Sequence, residues 1–112
     1  MSYFLSLILC QQPQGHVQLL LQLIVARNDA QTAVDAPRLC IEDGTAGGRI
    51  AIEAGTRPAV VAALREMGHD VRVLSGHDRA MFGRAQIIMR DRETGVLTGG
   101  SDGRADGCAI GF

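Results

Sequence analysis

The chain has 112 residues and a formal net charge of −1, and this length favours one domain because domains commonly hold about 100–200 residues. Hydrophobic residues make up 46% of the sequence and charged residues 21%, a balance that excludes a disordered chain. The sequence contains no basic cluster and no Trp, so neither nucleic acid nor an anionic membrane is expected as a partner.

Residues 1–11 form an atypical apolar N-terminal segment. It has neither the basic start nor the small-residue cleavage site of a secretion signal, and it is too short to span a bilayer. We expect a buried strand here, or the start of a truncated reading frame. The cysteines Cys10, Cys40 and Cys108 are odd in number and far apart, which favours reduced, partly buried thiols and a cytoplasmic location.

Two helices are predicted next, and we expect them to pack as a pair. The first runs from Val17 to Ala26, and its expected buried stripe follows helical spacing: Val17, Leu20, Leu21 and Ile24. Asn28-Asp29 can break the chain and cap a short helix from Ala30 to Asp35, which Pro37 ends.

A glycine-rich turn, Gly44–Gly48, separates two predicted strands, Leu39–Glu42 and Arg49–Glu53. Apolar residues alternate in the second strand, which predicts a half-buried hairpin. A phosphate-binding loop is the alternative for this turn. That loop requires a strand before it, a helix after it and a Gly-Lys-Ser/Thr ending, so we favour the hairpin.

The third predicted helix begins with Thr56 as N-cap and Pro58 in the first turn, and it runs through Met67. Its expected buried stripe is Val60, Ala63, Leu64 and Met67. Gly68 follows in the position where a positive φ is tolerated and ends the helix.

Strands are then predicted over Val71–Leu74, Phe82–Arg90 and Val96–Thr98, with a turn at Glu93–Gly95. The tail from Gly99 to Phe112 is expected to be an ordered loop with room for one more strand. This order predicts a layered α+β fold. Several strands have no obvious partner within the chain, which favours a half-domain over a free-standing one.

Candidate chemical groups are few. His16, His69 and His77, with Asp35, Asp70 and Asp78, lack the close paired spacing of metal ligands, so no metal site is expected and the histidines are interpreted as structural. Ser75, Ser101, Thr56 and Thr98 lack a nucleophile elbow or a base at a meaningful spacing. We therefore assign no catalytic, cofactor-binding or metal-binding residue.

Asp102, Arg104 and Asp106 alternate, so in an extended chain their side chains would share one face. An Asp–Arg pair there can either attach the tail to the body of the protein or meet a bound carboxylate. We favour attachment. Arg38, which follows Pro37, has the same two interpretations and the same preference.

Four motifs carry a family resemblance, and they occur in the family's order: Gln12–Gln18, Ala33–Arg38, Val60–Val71 and Ser101–Gly107. Together they resemble the C-terminal part of the small subunit of γ-glutamyltransferases (glutathione hydrolases). The first motif, with its Gln-Pro-Gln-Gly-His, is most similar to the bacterial branch. In the last motif Gly103 stands where the family usually has Pro.

The resemblance implies part of the αββα sandwich of an N-terminal-nucleophile hydrolase, formed by residues 12–112, and a family activity of glutathione hydrolysis and γ-glutamyl transfer. It also implies a self-cleaved precursor whose new N-terminal Thr attacks the amide, and a Gly pair that forms the oxyanion hole. The sequence has no Thr-Thr-His segment, and Ile8 and Leu9 stand near the positions of the Gly pair.

We therefore expect a chain that is inactive alone, needs no cofactor, and has as its partner either the missing N-terminal portion or a second copy of itself. The alternative is a free-standing α+β binding module, possibly homodimeric.

Overall fold

The computed structural model describes residues 2–6 and 12–111. The helices are Gln12–Leu20 (α1), Ala30–Asp35 (α2) and Pro58–Glu66 (α3), and the strands are Ser2–Ser6 (β1), Leu39–Ile41 (β2), Ile50–Glu53 (β3), Val71–Leu74 (β4), Gln86–Arg90 (β5) and Leu97–Ser101 (β6). The chain divides into two compact units. Unit 1 comprises the residues up to Ala36 and those from Gly83 onward, and unit 2 is Pro37–Phe82.

Unit 1 contains an antiparallel sheet in the order β1-β5-β6. In its register Ile88 of β5 pairs with Phe4 of β1 on one side and with Gly99 of β6 on the other. Both helices of the unit contribute to one core with β5, which consists of Leu19, Leu23, Ala30, Ala33, Val34, Ala85 and Ile87, with Met89 packed against it. The unit is therefore a helical layer on one face of a three-stranded sheet.

The predicted stripe of the first helix is wrong. The buried positions are Gly15, Leu19 and Leu23, whereas the four residues of the predicted stripe are exposed. No charged residue lies between Gln12 and Ala26, so the segment is apolar on several sides and its pattern does not single out one face. The helix also begins earlier than predicted and ends in a π-helical turn, Leu21–Val25, which changes the helical register.

The prediction for α2 is confirmed. The Asp29 carboxylate accepts hydrogen bonds from the backbone N–H groups of Gln31 and Thr32, both at 3.0 Å. It also accepts one from the Thr32 hydroxyl at 2.6 Å. The Thr32 side-chain and backbone hydrogen bonds stabilise the ionised form and lower the pKa of Asp29 below its ordinary 3.8.

The strand predicted over Phe82–Arg90 is shorter in the structure, because Gly76–Phe82 is a 3₁₀ helix and β5 begins at Gln86. The hairpin turn after β5 is confirmed. Asp91 Oδ1 accepts hydrogen bonds from the backbone N–H groups of Glu93 and Thr94 at 2.9 and 2.7 Å. The following strand, β6, extends through the glycines to Ser101, beyond the predicted end at Thr98.

Unit 2 contains a mixed sheet in the order β2-β3-β4, with β2 antiparallel and β4 parallel to β3. The predicted hairpin between β2 and β3 is confirmed. All four residues of β3 are buried, so the half-buried pattern expected for it is wrong. The reason is that both faces of the sheet are covered, one by α3 through Val61 and the other by Phe82 of the 3₁₀ helix.

The third helix begins one residue later than predicted, with Arg57 at the N-cap position and Pro58 in the first turn. The Thr56 hydroxyl instead donates to the carbonyl of Glu53 at 2.9 Å. The C-terminal prediction is confirmed, since Gly68 has φ +90° and the N–H of His69 donates to the carbonyl of Leu64. This arrangement is a Schellman motif.

The predicted stripe of this helix is also wrong in part. Val61 is buried and Leu64 packs against the same core, but Val60 and Met67 are exposed. The segment from Pro58 to Leu64 carries no charge, so here too the contact with the sheet, not the pattern, selects the buried face.

Each of the six described strands is hydrogen-bonded to at least one neighbour, so the expectation of unpaired strands is wrong. In the sheet of unit 1, Ile88 and Leu97 are exposed on the face opposite the helices. Among the helices of residues 12–111, none combines the length and the hydrophobicity needed to cross a membrane.

Candidate functional site

The most deeply buried charged groups of unit 1 are Asp102 and Arg104, whose side chains are 0% and 2% exposed. Asp102 Oδ1 lies 3.0 Å from Arg104 Nη1, and its Oδ2 accepts a hydrogen bond from the backbone N–H of Ala85 at 2.9 Å. A charge buried this deeply is stable only when it is paired and hydrogen-bonded. Asp102 therefore joins the end of β6 to the residue that precedes β5.

Arg104 reaches further, to the C-terminal end of α2. Its Nη1 donates to the carbonyl of Val34 at 2.8 Å, and its Nη2 donates to that of Ala36 at 3.1 Å. A guanidinium matches these carbonyls because the last carbonyls of a helix have no partner within it. The attachment predicted for this pair is thus confirmed.

The geometry behind the attachment differs from the expected extended chain. Gly103–Ala105 is a 3₁₀ turn, with Asp102 as its N-cap. Asp106 adopts a left-handed conformation at φ 51° and is exposed. The turn, not strand alternation, therefore brings Asp102 and Arg104 together, and Asp106 lies outside the cluster.

A second buried charge cluster lies in unit 2 around Glu53, whose side chain is fully buried. Its Oε1 pairs with the guanidinium of Arg79, and its Oε2 accepts a hydrogen bond from the backbone N–H of Arg38 at 3.0 Å. Arg38 is itself buried, and its Nη1 donates to the carbonyl of Phe82 at 3.2 Å. These contacts support the interpretation of Arg38 as a structural attachment, because its guanidinium binds the backbone carbonyl of Phe82, the last residue of the 3₁₀ helix.

The histidines and their neighbouring aspartates are dispersed. His16 is partly buried on α1, whereas His69 and His77 are exposed in unit 2. Asp70 pairs with Arg49 at 2.7 Å, and Asp35 accepts a hydrogen bond from Gln31 at 3.0 Å. Within residues 2–6 and 12–111, no group of three or more His, Cys, Asp or Glu could hold a metal ion.

The glycine-rich turn Gly44–Gly48 joins two antiparallel strands. Asp43 Oδ1 accepts hydrogen bonds from the backbone N–H and the hydroxyl of Thr45 at 2.9 and 2.8 Å. These bonds lower the pKa of Asp43. The negatively charged carboxylate of Asp43 lies in this turn and would repel a bound anion. The geometry therefore favours the hairpin interpretation over phosphate binding.

The hydroxyl and thiol candidates are separated from one another. Ser75 and Thr98 are exposed, and the main chain of Ser101 is held by the Gln31 side chain, whose Nε2 and Oε1 bind its carbonyl and N–H at 3.0 and 3.1 Å. Cys40 is buried and Cys108 is exposed. Cys10, Ile8 and Leu9 lie outside the described residues.

A cleft of about 330 Å³ opens in unit 2 beside the 3₁₀ helix, and its lining consists of Arg72, Leu74, His77, Asp78 and Met81. Its arginine is already engaged, because the Nε and Nη2 of Arg72 donate to Glu42 Oε1 at 3.0 and 2.6 Å. The cleft therefore offers little positive charge to an anionic ligand.

The open face of the unit 1 sheet is the feature that the sequence did not reveal. Ile87 of β5 is buried beneath the helices, whereas its neighbour Ile88 points to the opposite side and is 47% exposed. Leu97, on the adjacent strand, is also exposed. Two consecutive isoleucines predict a strand buried on both faces. On the face opposite the helices, the described part of the tail lies against Gly99 through Ala109 but leaves Ile88 and Leu97 exposed.

Sequence comparisons identify relatives that match nearly the whole chain. The sequence model of the gamma-glutamyltranspeptidase family matches residues 10–112. The oxamate amidohydrolase proenzyme of Klebsiella pneumoniae is 35% identical over 103 residues, which are 90% of this chain and 19% of that protein. The chain thus spans about a fifth of the length of this relative.

Solved structures agree with this assignment. The cephalosporin acylase from Bacillus halodurans matches with a TM-score of 0.77 at 33% identity, over 89% of this chain and 18% of that chain. The Bacillus anthracis transpeptidase CapD matches with a TM-score of 0.79 at 20% identity, over 98% of this chain and 63% of that chain, which shows the shared fold. The resemblance stated from the four motifs is confirmed: the chain belongs to the gamma-glutamyltranspeptidase family, as a C-terminal part of its N-terminal-nucleophile-hydrolase fold.

Proposed function

We propose that the chain is the scaffold portion of a γ-glutamyltransferase-type amide hydrolase, and that it does not catalyse the reaction alone. The family activity, glutathione hydrolysis and γ-glutamyl transfer, then belongs to the complete assembly. The nucleophilic Thr and the oxyanion glycines come from the rest of that assembly, which is the partner of this chain.

The observation that carries this proposal is the open face of the unit 1 sheet. In an αββα sandwich each sheet has helices on one face and the second sheet on the other. Unit 1 has its helical layer in place over Ile87, while Ile88 on the other face of the central strand is exposed to water. A second sheet packed there would bury Ile88 and Leu97 and complete the sandwich.

The separation of scaffold and chemistry has a physical basis. An N-terminal nucleophile uses its own α-amine as base, so it must be a chain terminus created next to the oxyanion donors. The buried networks at Asp102 and at Glu53 hold strands and loops, and their charged groups are occupied by protein partners. They support a rigid layer on which a catalytic centre can be built.

The reaction class follows from the relatives at 33–35% identity, whose names describe an amidohydrolase and an acylase. We propose amide hydrolysis with transfer of the acyl group, with a γ-glutamyl amide as the donor. This choice follows the family, since no group in the described residues distinguishes one acyl donor from another.

The proposal is tested first with the purified chain and a γ-glutamyl anilide. Release of the aniline should not exceed that in buffer, and clear turnover would refute the scaffold role. The second test is a chimera in which residues 10–112 replace the matching segment of the Klebsiella proenzyme. The chimera should fold, mature and release ammonia from oxamate.

Size-exclusion chromatography of the isolated chain distinguishes the alternative. A stable homodimer of defined stoichiometry would favour a free-standing binding module. Under the scaffold proposal we expect instead association without a defined stoichiometry, because the open sheet face lacks its partner.

A further inference from the structure

The end of the described chain lies across β6, the last strand in the sheet of unit 1. A Cβ built on Gly107 would lie 2.3 Å from the side-chain oxygen of Ser101. Two residues further along the tail, the Cβ of Ala109 lies 3.0 Å from the position of a Cβ built on Gly99. The tail therefore runs along β6 in the opposite direction, and we call residues 107–111 the tail strap.

The tail strap lies on the sheet face opposite the helices. Gly100 faces α2, because a Cβ there would lie 2.6 Å from the backbone of Ala30. Gly99 and Ser101 are its neighbours on the strand and therefore point to the other side. Gly99 also pairs with Ile88, which is half exposed on that side. The strap thus covers the part of this face that lies next to Ile88.

Few interactions hold the tail strap in place. The N–H of Gly107 donates to the carbonyl of Asp102 at 3.3 Å, beyond the usual limit of about 3.2 Å. Residues 108–111 are exposed and make no hydrogen bond with any described residue. Asp106, which precedes the strap, has a φ of 51°, a left-handed conformation that is strained for a residue other than Gly. Segments with so few contacts open more easily than the rest of a fold.

The tail strap also covers a hydroxyl group without giving it a partner. Ser101 is 5% exposed, and its Oγ makes no hydrogen bond in the described structure. A buried hydroxyl without a partner destabilises the state that buries it, whereas water satisfies the same group once it is exposed. The closed position of the strap therefore carries a free-energy penalty that opening removes.

We propose that the tail strap opens from β6, with its hinge at Asp106, while the sheet and the helices of unit 1 stay folded. Opening gives the Ser101 hydroxyl access to water and uncovers the face beside Ile88. The strap is thus a conformational device that controls access to this face. The proposal does not depend on the proposed function, because all of its contacts lie within unit 1.

Thiol labelling of the folded chain tests the opening. The parent for this test carries Cys10→Ala, Cys40→Ala and Cys108→Ala. Ser101→Cys then places a thiol beneath the strap, and Val34→Cys, in a separate chain, places one in the fully buried core of the same unit. The thiol at position 101 should react with an aromatic disulfide reagent about a hundredfold faster or more, because opening of the strap costs less than unfolding.

Urea distinguishes opening of the strap from unfolding of the unit. Opening exposes little surface, so the labelling rate at position 101 should change little with urea, whereas the rate at position 34 should rise steeply. An equal dependence on urea at the two positions would show that the side chain of Ser101 becomes accessible only by unfolding, and it would overturn the proposal.

A further substitution tests whether the strap is the cover. Gly107→Ala places a methyl group against the side chain at position 101 and should hold the strap away from β6. The labelling rate at position 101 should then rise about tenfold or more, as expected for an overpacked contact. Gly103→Ala is the matched control, because a Cβ there meets nothing within 4 Å. A rate that Gly107→Ala leaves unchanged would mean that the strap does not cover Ser101, and the proposal would fail.

The hydroxyl is tested in the otherwise unchanged chain by Ser101→Ala. Since the hydroxyl has no partner, its removal should not lower the urea midpoint. Thr56→Val is the matched control, because the Thr56 hydroxyl donates to the carbonyl of Glu53 at 2.9 Å and the loss of this bond should lower the midpoint. An equal fall for both variants would show that the Ser101 hydroxyl is already satisfied beneath the strap, which contradicts the proposal.

Discussion

Arg104 uses one nitrogen, Nη1, to bind both the carboxylate of Asp102 at 3.0 Å and the carbonyl of Val34 at 2.8 Å. One buried guanidinium thereby joins the last turn of the described tail to the end of a helix 70 residues earlier in the chain. The interaction is local in space and remote in sequence, and it shows how the C-terminal motif contributes to the fold of unit 1.

Arg104→Met should lower the free energy of unfolding by about 3–5 kcal/mol, because it leaves the carboxylate of Asp102 buried without its cation. Urea denaturation of the isolated chain measures the change. Arg49→Met is the control, since the Arg49–Asp70 pair is largely exposed and exposed pairs contribute little. Equal effects of the two substitutions would show that burial does not determine the strength of the Arg104 network.

Gly100→Ala should destabilise the chain by about 1–3 kcal/mol, as expected for overpacking of a closely packed core. A Cβ at this position would lie 2.6 Å from the backbone carbonyl carbon and oxygen of Ala30, and a helix backbone cannot easily yield. Thermal unfolding provides the measurement. Gly103→Ala is the matched control because a Cβ there meets nothing within 4 Å, and a comparable loss in both variants would contradict the close approach of α2 to β6.

Gly103→Pro should stabilise the chain by about 0.4–1 kcal/mol, because proline reduces the conformational freedom of the unfolded chain. Gly103 is the first residue of the 3₁₀ turn, where a fixed φ is favourable. The preceding residue, Asp102, has φ −76° and ψ 114°, which is the extended conformation that a following proline requires. A decrease in the melting temperature would mean that the turn cannot accept the residue usual in the family.

Ile87→Ala and Ile88→Ala should differ strongly in the isolated chain. Ile87 lies in the core, and its truncation should cost about 2–4 kcal/mol. Ile88 is half exposed, so its truncation should cost about 1 kcal/mol or less. Chemical denaturation of both variants gives the comparison, and in the chimera Ile88→Ala should reduce maturation. If both substitutions lowered the free energy of unfolding of the isolated chain equally, both faces of the sheet would already be covered there.

Asp29→Asn should lower the melting temperature at about pH 7 by a few degrees, and this difference should disappear in acid. Hydrogen bonds from Thr32 and Gln31 lower the pKa of Asp29 in the folded protein. The carboxylate therefore contributes stability that is present above its unfolded pKa, near 3.8, and is lost as the pH falls through the lower folded value. Melting followed by circular dichroism between about pH 7 and about pH 3 tests the prediction.

Asp43 and Asp91 have lowered pKa values for the same reason, hydrogen bonds from Thr45 and Thr94. Both remain in the parent and in the Asp29→Asn variant, so subtracting the two pH profiles isolates Asp29. If the difference in melting temperature between the parent and the variant stayed constant as the pH fell, the carboxylate charge at this cap would not stabilise α2.

Local structure could be predicted from the sequence wherever a short segment determines its own conformation. The cap at Asp29, the helix end at Gly68 and the turn after Asp91 each depend on residues within a few positions of one another. The four ordered motifs identified the family in the same way, because they are properties of the chain and not of its packing.

The candidate attachment groups were only partly predictable. Alternation in an extended chain would place Asp102 and Arg104 on one face, but a 3₁₀ turn brings them together instead. Nothing in the sequence indicates that Glu53 is buried, since a Glu at the end of a strand usually faces water. Its partners, the buried N–H of Arg38 and the partly exposed guanidinium of Arg79, are 15 and 26 residues away.

The amino-acid sequence by itself determined the order of the helices and strands, the cap at Asp29, the helix end at Gly68, the turn after Asp91, and the family to which the chain belongs. Only the tertiary structure decided which side of α1 and of α3 is buried, because both segments carry apolar residues on more than one side and periodicity cannot choose between these sides. It also decided that Ile87 is buried and Ile88 is exposed, since that depends on where the helices dock and not on the residues of the strand alone.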